Sequence, residues 1–269
     1  APCRGSNTDQ AAFVRRRGTD HPVHRIRSTT GDLVPVRRRP SRFLSIAAHG
    51  HADALAVEVR LDGVEILVDP GTYCYHGEPE WRSYFRSTRA HNTLELDQTS
   101  QACEGGPFLW STAVPVDPVV HSGLDTDVAT WTARHRGYRR LAGAPVHERT
   151  VRLEKSAGRL VIADRVTSGS GHKVRLHFHI GPAVAVALDG GRAELTWTGR
   201  DETQQHAALT LPAELSWSVH RGETEPIIGW FAPRFGVRQP ITTLQGVGAS
   251  SDARLVTSLH FETLGGLDG

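Results

Sequence analysis

The chain has 269 residues, of which 38% are hydrophobic and 22% are charged, and its formal net charge is +2. These values are typical of a globular protein and exclude wholesale disorder. No apolar run approaches the roughly 20 residues that a membrane-spanning helix needs. The length suits one large β domain or two small domains.

Nearly all the positive charge comes from arginine, since lysine occurs only at Lys155 and Lys173. A guanidinium group suits carboxylates and sulfates, so this composition is compatible with an acidic substrate, although coding bias would give the same excess. The three cysteines fit neither a disulfide framework nor a CxxC metal site, which leaves the redox compartment open. Without methionine or a signal segment, the sequence is expected to be a fragment or a processed chain.

Residues 1–40 are polar, interrupted by prolines, and carry arginine runs at residues 15–17 and 37–39. We interpret them as a poorly specified basic arm, with at most weak edge strands. The arginine runs lack interleaved aromatic residues, so a solvated face is expected and no nucleic-acid partner. Residues 41–269 are predicted to form the β domain.

Residues 55–68 predict a β-hairpin. Apolar and polar residues alternate on both sides of Asp62-Gly63, a pair that favours a two-residue turn. In that register Leu61 pairs with Val64. Residues 73–89 are expected to form a long loop or a short helix around residues 79–85, and a further strand is predicted at residues 93–96.

The rest of the chain repeats short alternating runs separated by glycine, proline and aspartate, which favours β-strands. These runs are residues 129–138, 145–154, 159–166, 173–180, 183–188, 193–198 and 207–211. Five tryptophans in or beside such runs are expected to fill the core: Trp110, Trp131, Trp197, Trp217 and Trp230. After residue 222 the strand signal thins, and the C-terminal tail is expected to fray. The predicted fold is all-β, a large two-layer antiparallel β-sandwich of the supersandwich kind.

Four residues between positions 49 and 93 have side chains suited to a metal or a sugar carboxylate: His49, His51, Asp69 and His91. Two histidines and one carboxylate with an open position form a recognisable zinc set. The hairpin register opposes this arrangement, because it pairs Ala56 with Asp69 and leaves His51 roughly 16 Å away along a straight strand. A shared site therefore requires residues 49–53 to bend away from the strand.

His177 and His179 form a second His-x-His pair, on one face of a predicted strand. They are either hydrogen-bonded imidazoles of the sheet or groups that contact the substrate or support the site. Asn92, next to His91, is assigned the same supporting position.

Six motifs resemble the C-terminal β domain of heparinase II/III-type polysaccharide lyases, over about residues 45–185. They are HGHADAL, VDPGTY, EWRSYFRSTRAHNT, VHERTVRL, LVIADRV and RLHFHIGP. The resemblance implies an N-terminal helical toroid that forms a substrate cleft with the β domain, and no toroid is visible in this sequence. It also implies that His51, Asp69 and His91 bind zinc, as a structural or a catalytic ion, and that His49 is a cleft residue used in catalysis.

The implied activity of the full-length protein is β-elimination in an acidic polysaccharide that contains uronate, such as a glycosaminoglycan or alginate. The isolated chain is expected to bind zinc and to have little activity, because the toroid supplies essential groups. Arg82, Arg86 and Tyr73 are candidate substrate contacts, with a loop held by arginines as the alternative. The resemblance suggests a periplasmic or secreted location.

A different class of function is a non-catalytic domain that binds metal and carbohydrate, as in cupins, or a structural module. Cupins also use His-x-His followed by a glutamate and a later histidine, but Glu58 lies seven residues beyond His51, which does not fit that spacing.

Overall fold

A computed structural model of the chain describes residues 23–28, 31–37, 49–112, 114–250, 252 and 254–262. Most of the predicted arm and the predicted frayed tail, residues 263–269, lie outside these ranges. The part of the arm that is described forms a hairpin, β1 (Val23–Ser28) with β2 (Gly31–Arg37), and β2 lies alongside β3 (Val59–Leu61).

The central stretch contains two short helical segments between short strands. The α-helix α1 spans Pro79–Arg86, and a 3-10 helix spans Thr88–Ala90. The short strands after β3 are β4 (Val64–Leu67), β5 (Leu94–Leu96), β6 (Glu104–Gly106), β7 (Leu109–Trp110) and β8 (Val120–Ser122).

Longer strands make up most of the remainder. They are β9 (Val128–His135), β10 (Val146–Glu154), β11 (Arg159–Thr167), β12 (His172–His179), β13 (Ala185–Asp189), β14 (Arg192–Thr198), β15 (Gln204–Thr210), β16 (Ser216–Arg221), β17 (Glu223–Thr224), β18 (Ile227–Ile228), β19 (Trp230–Arg234), β20 (Val237–Pro240), β21 (Thr242–Ser250) and β22 (Arg254–Glu262). All seven strand runs predicted after residue 128 are confirmed.

Two antiparallel sheets form the layers of the fold. One has eight strands in the order β13-β14-β15-β22-β11-β10-β9-β8, and the other has four in the order β16-β21-β12-β5. Their inner faces share one hydrophobic core, to which Trp131 and Leu259 contribute from the large sheet and Phe178 and Leu244 from the small one. Burying alternate side chains between two sheets is the physical basis of a β-sandwich. The predicted all-β, two-layer fold is confirmed.

The core takes only some of the predicted tryptophans. Trp131 and Trp197 are almost fully buried, whereas Trp110, Trp217 and Trp230 are half-buried. In the described part of the chain, no helix has both the length and the hydrophobicity to cross a membrane.

The sequence failed to indicate β21 and β22. β22 lies between β11 and β15 in the large sheet, and β21 lies between β12 and β16 in the small sheet. Two glycines interrupt the apolar pattern of β21 for a packing reason. A Cβ on Gly246 would lie 2.6 Å from the Trp217 ring, and one on Gly248 would lie 2.6 Å from Leu215.

The hairpin at Asp62-Gly63 is confirmed, with Leu61 opposite Val64. A register shift between Val59 and Arg60 changes the pairing beyond the turn, and β3 begins only at Val59. The predicted pairing of Ala56 with Asp69 is therefore wrong. Residues 49–58 lie outside the hairpin strand, as a shared site requires.

Candidate functional site

Residues 49–55 form a bent loop whose backbone is held on several sides. Leu55 has φ +62°, which turns the chain away from an extended path. The amide of Ala52 donates to the Arg86 carbonyl at 2.8 Å, and the amide of Ala54 donates to Gln101 Oε1 at 2.8 Å. These contacts fix the two histidines and Asp53 in place.

Asp69 enters the same region from the end of β4. Its Oδ1 accepts the Gly71 amide at 3.0 Å, and its Oδ2 is 2.9 Å from His91 Nδ1. Gly71 has φ +77°, and a Cβ there would lie 2.5 Å from the Ala232 carbonyl oxygen, so only glycine fits this turn.

Asn92 clamps the segment that follows the 3-10 helix. Its amide nitrogen donates to the carbonyls of Val57 (2.8 Å) and Val68 (2.9 Å), and its Oδ1 accepts the His179 amide at 2.6 Å. One buried side chain thus joins the loop, β4 and β12 beside His91. This geometry agrees with a supporting position for Asn92.

Asp53, Asp69 and His91 form a buried cluster with one potential ligand atom from each within 4.8 Å of the others. His91 Nε2 is buried and has no hydrogen-bond partner among the described residues. Two carboxylates and an imidazole with a spare nitrogen fit a divalent cation. Asp53 was not predicted as a ligand, and its only sequence signal was its place within HGHAD.

His51 lies at the edge of this cluster. Its ring centroid is 5.2 Å from that of His91, and its Nε2 is 3.1 Å from Thr72 Oγ1. The bend therefore brings three of the four predicted residues, His51, Asp69 and His91, into one buried site. Whether His51 is itself a ligand stays a prediction.

His49 is exposed, in contrast to the buried cluster. Its Nδ1 is 3.0 Å from the hydroxyl of Tyr75, and the two rings meet edge to face at 5.3 Å. The Arg82 guanidinium lies over the Tyr75 ring, 4.8 Å from its centroid. Tyr75 was not among the predicted site residues, although it lies in the VDPGTY stretch.

Arg82 and Arg86 do not stand at the surface as predicted substrate contacts. Their exposures are 2% and 0%, and both donate to the Pro107 carbonyl at 3.0–3.3 Å. Burial lowers the pKa of Arg82 to about 10. This burial does not support a substrate contact for either arginine. It agrees with the alternative of a loop held by arginines, because backbone carbonyls between β6 and β7 accept their hydrogen bonds.

The Tyr73 side chain contacts Glu78 and Arg238. Its hydroxyl donates to Glu78, and the guanidinium of Arg238 lies 4.6 Å from its ring centroid. It packs with Trp81 and Phe85 in a separate small core. These contacts do not support Tyr73 as a substrate contact.

His177 and His179 are both fully buried, with their rings stacked at 6.2 Å. Burial lowers the pKa of His177 well below its ordinary value, and it lowers that of His179 to about 3. His179 Nε2 is 3.1 Å from the Arg89 carbonyl, which puts it behind His91, whereas His177 contacts Gln245. Both are hydrogen-bonded imidazoles of the sheet, and His179 alone borders the site.

A buried ion pair supports the loop from the large sheet. Arg149 binds Asp164 through two hydrogen bonds of 2.7 and 2.9 Å. Its Nη1 donates to the carbonyls of Leu55 (2.8 Å) and Asn92 (2.6 Å). Burial alone would raise the pKa of Asp164, but Arg149 and His147 hold it well below the ordinary value. Arg149 therefore ties the bent loop and the His91 segment to the core.

These features define an all-β domain in which a bent loop places an exposed histidine beside a buried cluster suited to a metal. A family model described as Heparinase II/III-like, C-terminal, matches residues 34–261, and the chain belongs to this family. The family is one of polysaccharide lyases. A comparison with curated proteins finds no match.

Solved structures show the same fold. Heparan sulfate lyase HepC from Pedobacter heparinus aligns with a TM-score of 0.66 at 15% identity, over 85% of this chain and 33% of that one. A heparinase III aligns with a TM-score of 0.66 at 17% identity, over 89% of this chain and 35% of that one. The chain thus spans about a third of the length of each of these two proteins.

Proposed function

We propose that the chain is the C-terminal domain of a polysaccharide lyase that cleaves a uronate-containing acidic polysaccharide by β-elimination. Family membership supports the reaction class. The observation that carries the proposal is the pairing of exposed His49 with Tyr75, 3.0 Å apart, next to the buried cluster of Asp53, Asp69 and His91.

β-Elimination breaks the bond between C4 and its glycosidic oxygen. A base takes the C5 proton, the electron pair forms the C4–C5 double bond, and the departing oxygen takes a proton. His49 has the chemistry of such a base or acid. With Nδ1 hydrogen-bonded to Tyr75, its Nε2 is the nitrogen left to exchange a proton with the sugar.

Asp53, Asp69 and His91 are the residues that would hold a metal, with His51 beside them, and zinc is the proposed ion. When bound, a cation supplies positive charge near the sugar carboxylate or a rigid tie for the loop. The protein's own side chains do the rest. Arg149 and Asn92 fix the loop, and Tyr75 orients the His49 ring.

The proposed partners follow from the same reaction. They are an acidic polysaccharide, a glycosaminoglycan or alginate, and an N-terminal helical domain that completes the cleft. A secreted or periplasmic location is proposed because such polymers lie outside the cytoplasm.

The test uses the full-length protein and the ultraviolet absorbance of the unsaturated uronate product. We expect wild-type protein to form the product and His49→Ala to lower kcat by about 10²-fold or more, the usual loss for a general acid or base. His76→Ala is the matched control, because His76 is an exposed imidazole beside the same tyrosine, with ring centroids 6.5 Å apart.

Equal activities of wild type, His49→Ala and His76→Ala would contradict the role of His49. If the full-length protein binds the polymer and forms no unsaturated product, the proposed lyase activity is wrong and the alternative of a non-catalytic carbohydrate-binding domain is supported.

A further inference from the structure

A row of charged side chains crosses the large sheet at one end. Arg134 on β9 is opposite Glu148 on β10, Glu148 is opposite Arg165 on β11, and Arg165 is opposite Arg254 on β22. Neighbouring strands lie about 4.8 Å apart, so the three arginines cover roughly 14 Å of sheet.

The row faces away from the candidate site. Successive side chains of a strand point to opposite faces, and Asp164, which precedes Arg165, points into the core to bind Arg149. Arg134, Arg165 and Arg254 are exposed. The large sheet itself therefore separates the row from the bent loop.

The row borders a depression of about 230 Å³. Arginines and a threonine supply most of its hydrogen-bond donors. It is lined by Arg134, Arg136, Val146, Glu148, Arg165 and Thr167.

The charges along the row are not balanced. Arg134 and Arg136 share Asp117 in two ion pairs. Among the residues that the structure describes, neither Arg165 nor Arg254 forms an ion pair within 4 Å, although they lie directly opposite each other. Like charges in opposed cross-strand positions destabilise a sheet, and an anion bound between them would remove that repulsion.

We propose that this row is a second binding surface for a strand of acidic polysaccharide, separate from the site at His49. Guanidinium groups bind carboxylates and sulfates through two parallel hydrogen bonds, and spaced arginines match a polymer that carries such groups at intervals. The identity of the polymer rests on the proposed function. The anion-binding chemistry of the row does not.

The experiment measures binding of the full 269-residue chain to heparan sulfate by calorimetry at two salt concentrations. The test variant is Arg165→Gln/Arg254→Gln. The control is Arg159→Gln/Arg192→Gln, which removes the same charge from exposed positions elsewhere on the same sheet. We expect the test variant to bind roughly tenfold more weakly with a smaller salt dependence, and the control to bind within about twofold of wild type.

Equal losses in the two double variants would overturn the proposal, because the attraction would then be diffuse charge. Equally tight binding of duplex DNA through Arg165 and Arg254 would also overturn it, since the row would then not select a polysaccharide. His49→Ala in the same assay separates the two sites. The His49→Ala variant should lose lyase activity in the full-length protein and keep binding at the row. If the wild-type full-length protein has no lyase activity but binding still depends on Arg165 and Arg254, only the proposed function is contradicted.

Discussion

Asp53 changes the composition of the candidate metal centre. It is 2% exposed and lies within 4.8 Å of the ligand atoms of Asp69 and His91. If it is a ligand, Asp53→Asn should weaken zinc binding at least tenfold, as Asp69→Asn should, because an amide is a poorer ligand than a carboxylate. Competition with a chromogenic chelator measures the affinity.

Asp97→Asn is the control for this prediction. Asp97 is a partly exposed carboxylate outside the cluster, and its Oδ2 is 2.8 Å from His172 Nδ1. The zinc affinity of this variant should equal that of wild type. An Asp53→Asn protein with wild-type affinity would restore the predicted set of His51, Asp69 and His91.

At the residue scale, the sequence identified site residues that lie within motifs and missed which side chains are buried by packing. HGHAD and AHNT predicted His51 and His91 correctly as neighbours. Nothing in the sequence of α1 shows that the β6–β7 hairpin covers Arg82 and Arg86, because that contact joins segments about 20 residues apart. The burial seen in the structure is what distinguishes an arginine that holds a loop from one that could bind a polymer.

At the scale of elements, the ion pair of Arg149 and Asp164 links β10 and β11 to the bent loop. Arg149→Met should lower the free energy of unfolding by about 3–5 kcal/mol, because Asp164 would remain as a buried charge with only His147 beside it and without the guanidinium. The double variant Arg149→Met/Asp164→Leu should regain most of that stability. Urea denaturation measures both values.

The double variant separates the effect of Arg149 on stability from its effect on the position of the loop. It restores packing but not the donors to the carbonyls of Leu55 and Asn92, so zinc affinity should stay below wild type. Arg159→Met, which removes an exposed pair with Glu154, should change stability by less than about 1 kcal/mol and leave zinc binding intact. Full recovery of zinc affinity in the double variant would show that Arg149 does not position the loop.

The elements predicted well are those whose signals are local. The turn at Asp62-Gly63 depends on two adjacent residues, and the strands from β9 to β15 show alternation within a single run. β21 was missed because Gly246 and Gly248 make room for side chains of the neighbouring strand and the loop before it. The bulge at Val59 was missed because register shifts leave no mark in composition.

Across the whole molecule, buried neutral histidines should make stability depend on pH. Burial lowers the pKa of His135, His147 and His177 below the ordinary 6.5. Below pH 6.5 the unfolded chain binds protons that the folded chain does not. The contribution of these histidines to the free energy of unfolding is therefore fully present above that pH and is lost as pH falls. Each histidine contributes up to about 1.4 kcal/mol per pH unit.

His177→Gln isolates one of these contributions, because His177 is fully buried and its closest polar partner is Gln245. In metal-free protein, urea denaturation between pH 7 and pH 5 should give an average slope about 1 kcal/mol per pH unit smaller than wild type, because the unfolded imidazole becomes fully protonated only well below pH 6.5. The control His260→Gln removes an exposed imidazole from β22 and should leave the slope unchanged. Identical slopes in all three proteins would mean that His177 accepts a proton in the folded state, which its burial beside His179 and near Arg175 opposes.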